Sequence, residues 1–112
     1  MFLWPEIASG TLRLGYAQAG PVRTRYVEAG DPSASEAVVF IPGTGGHLEA
    51  FTRNLLPHAT HFRTIALDMV GHGYSDKPDH DYEIRHYVQH LLDFCDALGL
   101  ARDVLVLALE ER

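Results

Sequence analysis

Two apolar runs, each broken by a glycine-rich turn, constrain the fold of this chain more than any other feature. The first, Ala37–Ile41, ends in Pro-Gly-Thr-Gly-Gly-His, and the second, Thr64–Leu67, ends in Asp-Met-Val-Gly-His-Gly-Tyr-Ser. Neither run alternates with polar residues, and neither does a third run, Val104–Leu109. Continuous apolar strands are typical of a parallel sheet that is covered on both faces. The three runs therefore predict three buried, parallel strands.

Segments with helical periodicity separate these strands. The first helix is predicted over roughly His47–Leu56, and Pro57 is expected to end or fray it. The second helix is predicted over roughly Ile84–Leu98, with Gly99 as its C-cap. Its apolar stripe consists of Ile84, Tyr87, Val88, Leu91, Leu92, Cys95 and Leu98. Alternating strands and helices indicate parallel βαβ units with right-handed crossovers.

The N-terminal part of the chain has a different pattern. Thr11–Ala17 and Val22–Glu28 both alternate, roughly, between apolar and polar residues, and Gly20-Pro21 lies between them. This pattern predicts an antiparallel hairpin with one solvated face. The expected fold is therefore α/β, with an N-terminal antiparallel hairpin followed by a parallel βαβαβ unit in three αβα layers. We expect a single domain over residues 1–112.

Composition narrows the classes of function. Apolar residues make up 46% of the chain, which is enough to bury a core. The net charge of −6 argues against nucleic acid or an anionic membrane surface as a partner. No apolar run approaches the ~18 residues of a membrane span, and the first residues lack the basic region of a secretory signal. We therefore expect a cytoplasmic protein with no membrane or nucleic-acid partner.

The two glycine turns resemble those of one superfamily. The pattern Asp-x-x-Gly-x-Gly-x-Ser follows a buried strand, and Gly-Thr-Gly-Gly precedes it by about 25 residues. The residues are Asp68, Gly71, Gly73 and Ser75 in the later motif and Gly43, Thr44, Gly45 and Gly46 in the earlier one. Together they resemble the N-terminal half of the α/β-hydrolase fold, strands 1 to 5. Within the superfamily they are most similar to the meta-cleavage-product (2-hydroxy-6-oxo-dienoate) hydrolases, which cut carbon–carbon bonds in ring-opened aromatic dienoates. Esterases, epoxide hydrolases and haloalkane dehalogenases share looser versions.

The resemblance implies an oxyanion-hole loop at the first turn. In this fold one backbone N–H donor comes from the loop after the third strand, and a second comes from the residue after the nucleophile. Thr44 matches the first donor, and Gly43 and Gly45 shape the turn. The family usually has His-Gly where this chain has Pro42-Gly43, so the support of the loop is altered. The alternative interpretation is a glycine turn that binds no ligand.

The resemblance gives the second turn a structural role. Asp68 is expected to accept N–H bonds from the turn that follows it, and Gly71 and Gly73 to provide the backbone freedom for a sharp return. Ser75 closes the motif. A direct contact between these residues and substrate is the less favoured interpretation.

The nucleophile that the resemblance implies is missing. In the family the pattern Gly-x-Ser-x-Gly follows the fifth strand. The matching positions here are Leu107–Glu111, with Leu109 in place of the serine, and leucine has no nucleophilic atom. The acid and histidine of the triad would fall beyond Arg112. We therefore expect a truncated or frame-shifted hydrolase that is inactive alone, whose small-molecule substrate binds only to a complete homologue.

An alternative class of function is a non-catalytic fragment that binds a partner chain through its open sheet edge. Self-association through Val104–Leu109 would be one form of this behaviour, because unpaired strand edges recruit other strands.

The remaining polar residues predict neither a metal site nor a cofactor. His86 and His90 are spaced i, i+4 on a predicted helix, with Asp93 one turn on, but no third ligand is placed by spacing. A solvated helix face is the favoured interpretation of these residues. Cys95 lies in the apolar stripe, which favours a buried, inert thiol over a nucleophile.

Overall fold

Five strands form one mixed sheet in the computed structural model of the chain. The structure describes residues 12–34, 36–43, 46–100 and 104–109, the last segment through its backbone. The strands are β1 (Arg13–Ala19), β2 (Val22–Ala29), β3 (Ala37–Pro42), β4 (Arg63–Leu67) and β5 (Val104–Leu109).

The strand order is β1-β2-β4-β3-β5. β1 and β2 form an antiparallel hairpin, and β2 also pairs with β4 in antiparallel orientation. β3 lies between β4 and β5 and pairs with both in parallel. The predicted hairpin and the three parallel strands are therefore confirmed, and the ends of β3, β4 and β5 meet at one edge of the sheet.

Helices cover the sheet between these strands. Leu48–Phe51 form a short 3-10 helix that continues into α1 (Thr52–Ala59), and α2 spans Ile84–Ala97. The prediction of one regular helix over His47–Leu56 was therefore wrong in two respects. The segment begins as a 3-10 helix, and its helical part ends at Ala59 rather than at Leu56. Pro57 lies inside α1 without ending it. Proline has no backbone N–H, so Pro57 leaves one carbonyl in the first turn of this short helix without its helical hydrogen bond. The loss is limited to that single bond.

The core has two parts, one on each face of the sheet. Alternate residues of β3 point to opposite faces. Val38 and Phe40 pack with the 3-10 helix and α1, while Val39 packs with Phe94 of α2. Both faces are thus covered by helices, and the three-layer αβα arrangement is confirmed.

The solvated face predicted for the hairpin exists in only one of its strands. β1 is mostly exposed, whereas most of β2 is buried. Thr24, Arg25 and Glu28 are each less than 8% exposed. The prediction was wrong for β2 because this strand lies between β1 and β4 and its polar side chains have partners from other elements.

The second helix carries two kinds of surface. Its C-cap residue is Leu98, one position before the glycine that was predicted, and Gly99 follows with φ +64°, the left-handed conformation that commonly ends a helix. Ile84, Val88 and Leu92 lie along one flank, with exposed fractions of 81%, 51% and 59%. No helix in the described ranges is long and apolar enough to cross a membrane.

Candidate functional site: the cleft at the ends of β3 and β4

A cleft of about 100 Å³ opens where β3 and β4 end. The residues that line it are Ile41, Pro42, Gly43, Gly46, Met69, His72 and Tyr87. The N–H of Gly46 donates to the carbonyl of Gly43 at 2.8 Å, which closes the turn after β3. Thr44 and Gly45, the other two residues expected in the oxyanion loop, lie outside the described residues. Gly43 therefore lines the cleft, and the role of the loop stays a prediction.

The end of β5 lies beside this turn. Leu109 is the register partner of Pro42 across the parallel pair of β3 and β5. The residue predicted to replace the nucleophile is thus next to the strand that carries Gly43. The roles of the loop and of position 109 stay predictions.

Asp68 connects the two glycine turns. Its carboxylate accepts N–H bonds from Leu48 at 2.7 Å and from Tyr74 at 3.0 Å. Leu48 begins the helical segment after the first turn, and Tyr74 belongs to the second turn. Gly73 has φ +53°, and a Cβ there would collide with the carboxylate of Asp68. The fully buried carboxylate of Asp68 therefore holds the helical segment after the first glycine turn next to the second glycine turn.

Arg25 completes a buried ionic cluster that sequence reasoning missed. Its Nε donates to Asp68 at 2.7 Å, and its terminal nitrogens donate to Glu49 at 3.1 and 2.7 Å. The guanidinium also lies over the ring of Tyr74, 4.5 Å from the centroid. Burial alone lowers the pKa of Arg25, but the hydrogen bonds to Glu49 and Asp68 outweigh it and the pKa is raised. Burial likewise raises the pKa of Glu49, and the bonds from Arg25 reverse this so that the pKa is lowered.

Ser75 ties the second turn to β2. Its Oγ donates to the backbone carbonyl of Asp68 at 2.7 Å and accepts the N–H of Arg25 at 3.0 Å. Gly71 has φ +82° and packs against the ring of Tyr82, which leaves no room for a side chain. Within the described residues, the contacts of this motif are thus to the chain itself rather than to the cleft.

His72 is the histidine that lines the cleft. It sits between the two glycines of the second turn and is half-buried. Its Nδ1 lies 3.1 Å from the carbonyl of Val70, and its ring lies 6.0 Å from that of Tyr87. Sequence reasoning gave His72 no role, because its position in a turn carries no periodic signal.

His90 does not lie on a solvated face, and that prediction was wrong. Its Nδ1 accepts the N–H of Val70 at 3.0 Å, so its Nε2 carries the hydrogen that is donated to Oγ1 of Thr24 at 2.8 Å. Oγ1 of Thr24 in turn donates to the carbonyl of Val22 at 3.0 Å. Burial lowers the pKa of His90 to about 4, although the charge of Asp93 opposes the shift. His90 is a neutral link between α2 and β2.

His86, a candidate metal ligand, and Cys95, the free thiol, are not among the residues that line the cleft. Nδ1 of His86 accepts the N–H of Glu83 and caps the start of α2. Among the described residues, no three His, Cys, Asp or Glu side chains are arranged to hold a metal ion. Cys95 is half-buried rather than buried, and burial followed by the charge of Asp96 raises the pKa of its thiol. A raised pKa leaves less of the reactive thiolate.

Comparison with known proteins places the same fold and motifs in one family. The chain is 40% identical over 87 residues to a 2-hydroxy-6-oxo-6-(2'-aminophenyl)hexa-2,4-dienoic acid hydrolase of Metapseudomonas resinovorans, covering 75% of this chain and 29% of that protein. It is 44% identical over 86 residues to a haloalkane dehalogenase of Mesorhizobium japonicum, covering 74% of this chain and 26% of that protein. The chain therefore spans less than a third of the length of these curated relatives.

A solved structure agrees with this relationship. A serine hydrolase involved in carbazole degradation superposes with a TM-score of 0.75 at 36% identity, covering 87% of this chain and 38% of that one. The family model described as the alpha/beta hydrolase fold matches residues 36–106, which include both glycine turns and the first half of β5. The chain belongs to the α/β-hydrolase fold family.

Proposed function

We propose that this chain forms the oxyanion-hole half of a hydrolase site that acts on a small carbonyl substrate, at a C–C or ester bond. The observation that carries the proposal is the Gly43–Gly46 turn, which lines a cleft directly beside the end of β5. A serine nucleophile at the end of the fifth strand would stand next to this turn. The relative from Metapseudomonas resinovorans, a hydrolase of a hydroxy-oxo-dienoic acid, supports the C–C bond over the ester.

The proposed role of the first turn is to stabilise negative charge on a carbonyl oxygen. The backbone N–H of Thr44 is the donor that we assign to this task, because donors aimed at developing charge lower the barrier of acyl transfer. The cluster of Arg25, Asp68 and Glu49 is proposed to fix the position of this turn, because Asp68 accepts the N–H of Leu48 just after the turn. The apolar lining of the cleft suits the hydrocarbon part of a substrate.

The 112-residue polypeptide alone is proposed to be inactive. Leu109 occupies the position that a serine takes in the family, and losing a triad serine costs about a million-fold in rate. The test is an assay of the purified chain on an activated ester and on a ring-opened dienoate. The matched sample is the product of a reading frame that encodes Gly-x-Ser-x-Gly at the end of β5, in place of the present residues 107–112. Turnover by that product alone supports the proposal, and turnover by neither contradicts it.

A second candidate function is binding of a partner chain through β5. In the described part of the sheet, β5 pairs with β3 on one side, and its other edge faces no strand. Unpaired N–H and C=O groups on such an edge bind additional strands. Co-purification with a full-length relative, together with protection of the β5 amides from hydrogen exchange, would favour this function. A monomer with unprotected β5 amides in the presence of that relative would exclude it.

A further inference from the structure

We propose that the start of α2 is a pH-sensitive switch, in which protonation of His86 breaks the hydrogen bond that caps the helix and loosens Tyr87 in the wall of the cleft. The proposal goes beyond the hydrolase function, because it concerns the helix that carries the cleft wall rather than the chemistry inside the cleft. Three features carry it: the tautomer of His86, the surroundings of its ring, and the continuation of the capped turn into Tyr87.

The hydrogen bond to Glu83 fixes the charge state of His86. Nδ1 of His86 lies 2.9 Å from the backbone nitrogen of Glu83. A backbone N–H can only donate, so Nδ1 must carry a lone pair, and the ring must be the neutral tautomer with its hydrogen on Nε2. An imidazolium carries hydrogens on both nitrogens, and two N–H groups would then face each other. This cap therefore exists only while His86 is neutral.

The neighbouring histidine has no such restriction. Nδ1 of His80 lies 2.7 Å from the backbone carbonyl oxygen of Asp81, and a carbonyl accepts equally from the neutral and the charged ring. The ring centroids of His80 and His86 lie 4.6 Å apart. His80 is therefore a second histidine in the same surroundings, but its protonation breaks no hydrogen bond.

A cavity of about 120 Å³ borders His86 and separates it from the hairpin. Outside α2, the described residues that line this cavity are Pro21, Val22, Val70 and His80. Of these only His80 can carry a charge, and that charge is positive. The neighbouring elements therefore offer the imidazolium form of His86 no counterion.

The charged groups on α2 itself compensate little. The carboxylate of Glu83 is already bonded to Nε of Arg85 at 2.6 Å. Asp93 lies seven residues further on, about 10 Å along the helix axis, and His90 between them is neutral. The helix dipole also disfavours a positive charge in the first turn. Protonation of His86 is therefore expected to open the turn rather than to create a new ion pair.

The capped turn continues directly into the cleft wall. The N–H of His86 donates to the carbonyl of Glu83 at 2.9 Å, and the N–H of Tyr87 reaches the same carbonyl at 3.4 Å. The side chain of Tyr87 then lines the cleft. Histidine is the side chain that ordinarily changes charge between pH 5 and 8. Because the opened turn binds the proton and the capped turn cannot, a fall in pH favours the opened turn.

The experiment measures amide hydrogen exchange of the 112-residue chain by NMR between pH 8 and pH 5. Protection of the Glu83 and Tyr87 amides, corrected for the intrinsic pH dependence of exchange, is expected to fall about three- to tenfold on acidification, the value of one capping hydrogen bond. His86→Gln is expected to abolish the fall, because glutamine is a common residue at this capping position and does not titrate. His80→Gln is the matched control and is expected to keep the wild-type fall.

An equal fall in His86→Gln, or protection that no longer depends on pH in His80→Gln, overturns the proposal. The ring nitrogen signals of wild-type His86 give a test that needs no variant, and a hydrogen on Nδ1 at pH 8 also overturns it. The pKa of His90 is about 4, so this residue stays neutral in the folded chain over the range. Catalytic turnover is not measured, so this proposal and the hydrolase function can fail separately.

Discussion

Pro42 and Leu109 are register partners at the ends of two neighbouring parallel strands. Because parallel strands end at the same edge of a sheet, the ends of β3 and β5 lie side by side there. In a family that places an oxyanion loop after one of these strands and a nucleophile after the other, this pairing brings both functions together. Leu109 is the residue that we expect at the second of these positions.

The first prediction concerns chemistry at this position. The 112-residue chain is expected to hydrolyse an activated ester no faster than a buffer control, because Leu109 offers no nucleophilic atom. A serine-directed fluorophosphonate probe is expected to label none of its serines, including Ser75, whose Oγ is bonded to two backbone groups. Stoichiometric labelling of a serine, lost when that serine is changed to alanine, would contradict the prediction.

Elements with local signals were predictable from the sequence, and the buried polar contacts were not. The continuous apolar run of β3 and the glycine at position 99 carry their own evidence, since strand type and cap geometry depend on neighbouring residues. Arg25 carries no such local signal, because its partners Asp68 and Glu49 lie 43 and 24 residues away in the sequence. His90 was missed for the same reason, since Thr24 is 66 residues away.

The second prediction concerns the buried cluster. Arg25→Met is expected to lower the free energy of unfolding by about 3–5 kcal/mol, because it leaves the fully buried carboxylate of Asp68 without its cation. Arg85→Met is the matched control. The pair between Arg85 and Glu83 has side chains 77% and 57% exposed, so its loss is expected to cost less than about 1 kcal/mol. Urea denaturation measures both, and equal losses would show that burial of the pair does not matter.

The third prediction concerns pH. The pKa of His90 is about 4 in the folded chain and about 6.5 in an unfolded one, so the unfolded chain binds more protons between these values. His90 therefore leaves stability unchanged above pH 6.5, and lowers it as the pH falls from about 6.5 to about 4. The loss is expected to reach about 2–3 kcal/mol.

Urea denaturation across this pH range checks the third prediction. His90→Gln is the comparison, because glutamine keeps a donor and an acceptor but does not titrate. The pH dependence of stability is expected to be shallower in the variant between pH 4 and 6.5. Parallel curves for the two proteins would show that His90 is not the group responsible.

The fourth prediction separates a collision from backbone strain. Gly73 and Gly99 both have positive φ, but a Cβ on Gly73 would meet the carboxylate of Asp68, and one on Gly99 would meet nothing within 4 Å. Gly99→Ala is expected to cost about 1 kcal/mol, the strain of a left-handed alanine. Gly73→Ala is expected to cost about 3–5 kcal/mol, because the carboxylate must move away from its buried partners. Thermal and urea unfolding compare the two variants, and similar losses would contradict the prediction.

The fifth prediction concerns self-association of the 112-residue polypeptide. β5 has one unpaired edge in the described sheet, and Ile84, Val88 and Leu92 form an exposed apolar flank on α2. The chain is expected to sediment as dimers or larger species at micromolar concentration and to bind a hydrophobic dye. Replacing Ile84 and Leu92 with lysine is expected to reduce dye binding. A clean, cooperative monomer without dye binding would contradict the prediction.

The hydrogen bonds that link Val70, His90, Thr24 and Val22 can run in only one donor-to-acceptor direction. This line of bonds starts at a backbone N–H of Val70 and ends at a backbone carbonyl of Val22, and neither group can exchange its role. Apolar side chains can slide into a neighbouring groove at small cost, but a line with two fixed ends cannot be shifted without breaking. A buried polar network of this kind selects one docking position among many that apolar packing would accept. The position of α2 on the sheet, and with it Tyr87 at the cleft, therefore depends on the imidazole of His90 as well as on the apolar packing of Phe94.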